Sequence, residues 1–398
     1  MNICYNYGMH NKYLYNAGKS AVIVMNERPN EYRSATRSWS LGNDTVSELN
    51  TYKHLGITLS KYCNRSINVE ECCQKLRSTF LTLVHCGLFE NGIHPLSAKI
   101  VYKSIVLPKA LYGCELWDAL SDDQTLLIER SHRYCIKQMQ AISKYTNSDI
   151  ALSLIGMLPI AAEIDLRKLK LFGQLCRIDP SFLVKSVFTR RLIEYTNNPV
   201  GVRGFIADCF KLVGKYNLTN FISSYIADGI FPTKTMWKNT INKQLYLYFS
   251  TTIYRNITEN CSVSLFPKLH PTFNEIVPSN IWVFSKSNRN VMPQCKSIIQ
   301  MISFVFNSIP VTCRKCDMYT NHLVIHVMFF CVRNLKHSER LFKALFLMYG
   351  TVKYLDFMIE TPERKVLYIL SDLNNSVCEE STGKYVYELC SCLHAMWT

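Results

Sequence analysis

The sequence predicts a mostly α-helical chain that opens with a small β-hairpin region. Three observations carry this. Up to about residue 60, short β-branched runs alternate with glycine- and asparagine-containing turns. From about residue 68, apolar residues return at helical spacing. Hydrophobic content of 48% with 12% aromatics over 398 residues supplies a large core and excludes a largely disordered chain.

In order, Ala21 to Met25 is a compact β-branched run entered through Gly18. Trp39 to Leu41 precedes the turn sequence Gly42-Asn43-Asp44. Tyr52 to Leu59 alternates loosely around Gly56, where a glycine marks a bulge or a close backbone approach. Leu76, Phe80, Leu83 and Val84 fall at i, i+4, i+7 and i+8 and make one apolar helical face. A second helix is expected from Pro95 to Val106, ending before Pro108. Asp122 and Asp123 open a third, where carboxylates suit the positive helix end, and it should continue to about Ile142. A fourth spans Ala161 to Ile178, with Leu169, Phe172 and Cys176 on one side and Arg167, Lys168 and Lys170 mostly off that row, until Pro180 breaks it. Residues 181–260 hold further helical segments, such as Trp237 to Tyr254. Residues 261–300 are richer in Pro, Ser and Asn and read as a connector. From about residue 301 a metal-ligand pattern precedes one or two amphipathic segments.

The net charge of +15 favours an anionic partner, and nucleic acid is the commonest. A basic protein with a solvated surface is the plainer alternative. Seventeen cysteines, an odd and irregularly spaced set, read as mostly free thiols of a reducing compartment. The start of the chain shows no signal-peptide pattern, so an intracellular location, nucleus or cytoplasm, is expected. No apolar stretch approaches the roughly 20 residues of a membrane helix. Nothing speaks to oligomeric state. Gly18-Lys19-Ser20 ends like a phosphate-binding loop, but Tyr13 stands where that loop needs its first glycine. Neither a G-x-S-x-G elbow nor an H-E-x-x-H helix occurs.

Four segments carry a resemblance. They are Tyr15 to Asn26, Tyr52 to Ser60, the run LPKALYGCELW ending in Leu111 to Trp117, and the run from Leu154 to Ile178. In this order they resemble the reverse transcriptases of non-LTR (LINE-type) retrotransposons, over roughly residues 11–180 and again over 300–340. The resemblance implies an incomplete right-hand polymerase: the end of a palm, then a helical thumb, then a helical C-terminal region. It implies that Lys53 and Gly56 lie in a primer-grip-like hairpin, where a tight turn lets backbone approach phosphates. Lys19 matches a family lysine near the leaving phosphates. The family's Phe/Tyr-x-Asp-Asp turn, which holds two Mg²⁺ ions, has no counterpart before Asn16, so the Mg²⁺ site is expected to be absent and no catalytic residue is assigned. Asp122-Asp123 follow the thumb motif and suit a helix start instead.

Cys313, Cys316, His326 and Cys331 follow the spacing C-x2-C-x9-H-x4-C. Two thiolates two residues apart can grip one Zn²⁺ from a turn, and a later His and Cys can complete a tetrahedron. The pattern is similar to the small zinc-finger-like module near the C-terminus of many LINE-type proteins. His322 could replace His326, or the run Val327 to Phe330 could be ordinary core. Cys390, Cys392 and His394 read as a packed terminal segment.

The expected division is 1–62 as palm end, 63–180 as thumb, 181–300 as helical connector and 301–398 as the region with the zinc-finger-like module. The expected function is a retrotransposon reverse-transcriptase remnant, inactive alone, that binds RNA or DNA, an RNA–DNA duplex above all. Lys19, Lys53, Gly56, Lys103, Lys109, Arg167, Lys168, Arg314 and Lys315 are the expected contacts. The alternative is a domesticated or decayed derivative that acts through protein–protein contacts or has no function.

Overall fold

The computed structural model describes residues 2–25, 37–62, 66–87, 92–117, 120–306, 310–376 and 383–398. Asn26, the end of one motif, lies outside them. The chain is mostly helical with a few small sheets.

The N-terminal part departs first from the sequence reading, because it starts with a helix, α1 (Asn2–His10). Of the expected strand 21–25, only β1 (Ala21–Val22) is regular. It pairs in parallel with β3 (Asp44–Glu48), which pairs antiparallel with β2 (Trp39–Leu41). β4 (Thr51–His54) and β5 (Ile57–Ser60) form a separate hairpin with Tyr52 opposite Leu59. Its two turn residues, Leu55 and Gly56, have φ of 48° and 82°. Two successive positive φ values define the turn whose twist matches a tight hairpin. Gly56 therefore sits at a turn and not inside a strand.

Then come α2 (Ser66–His85), α3 (Pro95–Val101), a π turn (Tyr102–Val106) and α4 (Leu107–Ala110). The helix was expected to end before Pro108 but runs through it. The π turn closes on the Tyr102 carbonyl from the Leu107 amide, so Pro108 falls in a new first turn, where its missing N–H costs nothing. α5 (Asp122–Met139) starts as expected: Ser121 and Gln124 form a reciprocal capping box, and Asp122 and Asp123 occupy the first turn. α6 (Ser148–Ile155) and α7 (Ile160–Arg177) follow.

α8 (Leu183–Asn197), α9 (Phe205–Lys215), α10 (Thr219–Asp228) and α11 (Lys234–Thr258) continue the chain. Two cores result. One unites α8, α9 and α10 with most of α7, from Ala162 to Cys176, and with α11 as far as Phe249. The other runs from α2 through α6, skips ahead to the end of α11, and continues to the last helix. α11 serves both because its buried residues, Trp237, Ile241, Leu245, Phe249, Ile253 and Ile257, recur every four positions. Each such step overshoots a full turn by roughly 40°, so the stripe swings through about 200° and ends facing the other way.

The expected connector at 261–300 is instead core. α12 (Phe266–Leu269), a 3-10 turn (Phe273–Glu275), α13 (Asn280–Ser287) and α14 (Met292–Val305) bury Phe266, Phe273, Trp282, Ile298 and Ile299 completely or nearly so. Two of this segment's four prolines, Pro267 and Pro293, occupy first helical turns. The expected boundaries at 180 and 300 thus do not follow the division between the two cores. β6 (Val311–Thr312), β7 (Tyr319–Thr320) and α15 (Leu323–Ile325) lead to α16 (Leu335–Ile359), α17 (Pro362–Ser376) and α18 (Gly383–Trp397). α16 is kinked at Gly350, whose φ is 69°. Among the described residues, no helix is long and apolar enough to cross a membrane.

Candidate metal centre

β6 and β7 pair antiparallel, Val311 with Thr320 and Thr312 with Tyr319, and the turn between them carries Cys313 and Cys316. The Cys313 amide donates to the Met318 carbonyl at 2.8 Å, and the Asp317 amide to the Cys313 carbonyl at 2.9 Å. Closing so tight a turn puts Asp317 at φ 56°, a region that short polar side chains tolerate. The turn also aims the amides of Lys315 and Cys316 at the Cys313 sulfur. Burial opposes ionisation of that thiol, but these amides and the neighbouring thiols outweigh it and hold its pKa below the ordinary value.

The other two ligands come from a π turn, His326–Phe330, that follows α15. In an α-helix, residues five apart point roughly 140° away from each other. The wider turn closes from the Cys331 amide onto the His326 carbonyl at 2.7 Å and brings both side chains to one side. Burial holds the His326 imidazole below its usual pKa, so the neutral, ligating form prevails. Burial also raises the Cys331 thiol, and the adjacent thiols push in the same direction.

All four ligand atoms lie within 4.8 Å of one another, so the group could hold a metal ion. The Cys313 and Cys331 sulfurs are 3.9 Å apart, and the Cys316 sulfur lies 3.1 Å from His326 Nε2. Sulfurs on a tetrahedral ion with Zn–S bonds of 2.3 Å stand roughly 3.8 Å apart. The donor set therefore fits a thiophilic, tetrahedral ion. His322 is exposed and outside the group.

Of the two cations in the turn, Arg314 is exposed, but Lys315 is not free for a phosphate. Its ammonium donates to Asn334 Oδ1 at 3.2 Å and to the Ala395 carbonyl near the end of α18. Asn334 is buried and donates to the Val327 and Met396 carbonyls, so it joins the π turn to the same helix end. A cation at a helix C-terminus also suits the negative end of its dipole. Nothing in the sequence marked Asn334, because its role depends on the fold bringing Lys315 and the Met396 carbonyl beside it.

The other expected contacts scatter. Lys19 is exposed, and its carbonyl accepts from Tyr52 Oη at 2.7 Å. Lys53 is exposed and donates to Glu71 at 3.3 Å. Lys103 and Lys109 are exposed on the π turn and α4. Arg167 is half-buried and stands 3.8 Å from Glu115. Lys168 is a correction: it is 4% exposed and its ammonium is held by Asp208, so it faces the second core and not a phosphate. Cys390 and Cys392 are buried, and Ser297 bonds His394 at 2.8 Å, as a packed terminal segment requires.

Two motif segments do meet. A Cβ on Gly113 would lie 2.9 Å from Ile57, and one on Gly56 would lie 3.3 Å from the Tyr112 ring. The β4–β5 hairpin therefore rests on Tyr112-Gly113, and Gly113 takes φ 78° to allow it. Comparison of the chain with family models, curated proteins and solved structures finds no match.

Proposed function

We propose that this chain is the C-terminal part of a non-LTR retrotransposon reverse transcriptase: palm end, thumb, helical region and a tail that binds one structural Zn²⁺. Its property as it stands is nucleic-acid binding without polymerisation. The observation that carries this reading is the convergence of Cys313, Cys316, His326 and Cys331, with the exposed Arg314 between the first two ligands, in a chain of net charge +15. The packing of the hairpin on Tyr112-Gly113 adds support, because it joins two of the segments that carry the resemblance. Zn²⁺ would be held by the three sulfurs and His326 Nε2 and would contribute folding energy, not chemistry. Lys19, Lys103, Lys109 and Arg314 remain available as phosphate contacts, and Lys53 is exposed but shared with Glu71.

The test is binding of the zinc-loaded chain to an RNA–DNA duplex as salt is raised. Each phosphate contact should steepen the fall of log K with log salt by roughly 0.9. Absence of binding at low salt, or binding indifferent to salt, overturns the reading, and so does dNTP incorporation by the pure chain.

A further inference from the structure

α7 and α11 cross closely at Gly173 and Trp237, and beside the crossing they leave a cleft of about 470 Å³. Lys170, Gln174 and Arg177 line it from α7 at i, i+4 and i+7, so they share one face. Lys234 and Lys238 line it from the first turns of α11 at i and i+4. Trp237 closes its floor.

Among the described residues, none of these four cations has a carboxylate within 4.0 Å. Elsewhere α7 is neutralised: Arg167 faces Glu115, Lys168 is held by Asp208, and Asp165 pairs with Lys215. Glu163 lies two turns before Lys170, and Asp179 is occupied by the Ser181 amide at 2.8 Å. Burial holds the Lys170 ammonium below its usual pKa against the pull of Glu163, and the nearby Lys238 and Arg167 add to the lowering. Arg177 is fixed in place: it donates to the Pro232 carbonyl at 3.2 Å and lies 5.5 Å from the Phe231 ring centre. Like charges gathered in a concavity repel, and a bound polyanion relieves that cost.

We propose that this cleft grips the phosphodiester backbone of a nucleic acid without reading its bases. The row from Lys170 to Arg177 spans roughly 10 Å. One strand of a duplex carries about three phosphates over that length. Base recognition is not provided for: Trp237 is buried and its indole N–H is used by the Leu169 carbonyl, so no free aromatic face lines the floor. The inference rests on the reading above only for the kind of polymer bound. None of its residues is among the contacts named there.

The test compares wild type with the triple variant Lys170→Gln, Lys234→Gln, Lys238→Gln by anisotropy of a fluorescent RNA–DNA duplex and of a single strand. A charge-matched variant at other exposed lysines, Lys12→Gln, Lys336→Gln, Lys343→Gln, is run beside it. The cleft variant should bind about tenfold or more weakly at low salt, and its salt slope should fall by roughly 2 to 3. The charge-matched variant should lose much less, and arginines at the three cleft positions should restore binding. If wild type binds and both variants lose equally, or the cleft variant loses nothing, the cleft proposal falls and the nucleic-acid reading stands. If wild type ignores both polymers, both fall. If the cleft variant loses pyrophosphate binding alone, the cleft is a small-anion site and the proposal falls.

Discussion

The indole of Trp237 lies directly across Gly173: a Cβ there would stand 2.3 Å from Nε1 and 2.4 Å from Cδ1. Nε1 donates to the Leu169 carbonyl at 2.8 Å, so the ring is anchored on the helix it crosses. A glycine inside a helix costs about 1 kcal/mol relative to alanine. Here that cost lets α11 seat its first buried residue on α7 and sets the mouth of the basic cleft. Gly173→Ala should therefore destabilise the chain by roughly 1–3 kcal/mol despite its better propensity. Gly214, in α9, has nothing within 4 Å of its missing Cβ, so Gly214→Ala should stabilise by roughly 0.4–1 kcal/mol. Urea midpoints for the two variants should move in opposite directions. A neutral Gly173→Ala would mean the crossing is looser than described.

Lys168 and Asp208 form an ion pair with side chains 4% and 12% exposed. Removing one partner strands the other charge away from water. Lys168→Ala or Asp208→Ala should each cost roughly 3–5 kcal/mol, while the double change Lys168→Met with Asp208→Leu should recover most of the loss. Duplex affinity of the folded double variant should match wild type, since neither side chain faces outward. A selective loss of binding at full stability would return Lys168 to the contact surface.

The contrast between Lys168 and Lys170 shows where the sequence stops being legible. The helix, its apolar row and its end shortly before Pro180 follow from local spacing. Two cations two positions apart then face different neighbours, and which meets Asp208 depends on where α9 lies. The start of α5 was legible because Asp122 and Asp123 mark a first turn locally, although the capping box of Ser121 and Gln124 beside them was not read. The ligand quartet was legible as a spacing, but the choice of His326 over His322 needed the π turn. The basic cleft was not read at all. Its two rows belong to helices joined through the whole second core, and neither row alone is unusual. The same holds for 261–300, where proline positions that open helices resemble those that break them.

His132 is fully buried in the first core and linked at both ring nitrogens. Tyr102 Oη donates to Nδ1 at 2.8 Å, and Nε2, 3.2 Å from the Leu158 carbonyl, is the donor to it. Burial pushes its pKa down to about 4, against the Leu158 bond and with the help of Arg133. The unfolded chain, with an imidazole near 6.5, then binds the proton more readily. Stability from this site is complete above about pH 6.5 and drains away as pH falls toward 4, by at most about 3 kcal/mol. His270, also pushed to about 4 by burial, adds a loss of the same sign. The urea midpoint should drop between pH 7 and pH 5, and His132→Gln should flatten that drop. An unchanged pH profile in the variant would remove His132 as the cause.

The metal centre makes the last prediction. Its ligands stitch the β6–β7 turn to the π turn, and Lys315 and Asn334 carry that order on to the end of α18. Zinc bound at this site should therefore appear as stability of the whole C-terminal part. The purified chain should carry about one zinc, lost on Cys313→Ser or Cys331→Ser and kept on His322→Ala. Because three thiols must shed protons to bind it and His326 must stay neutral, retention should weaken as pH falls. Chelation at neutral pH should speed hydrogen exchange in α18 and lower the melting temperature, and added zinc should restore both. A chain that melts identically with and without zinc would show that Cys313 and its neighbours are core residues held together by packing alone.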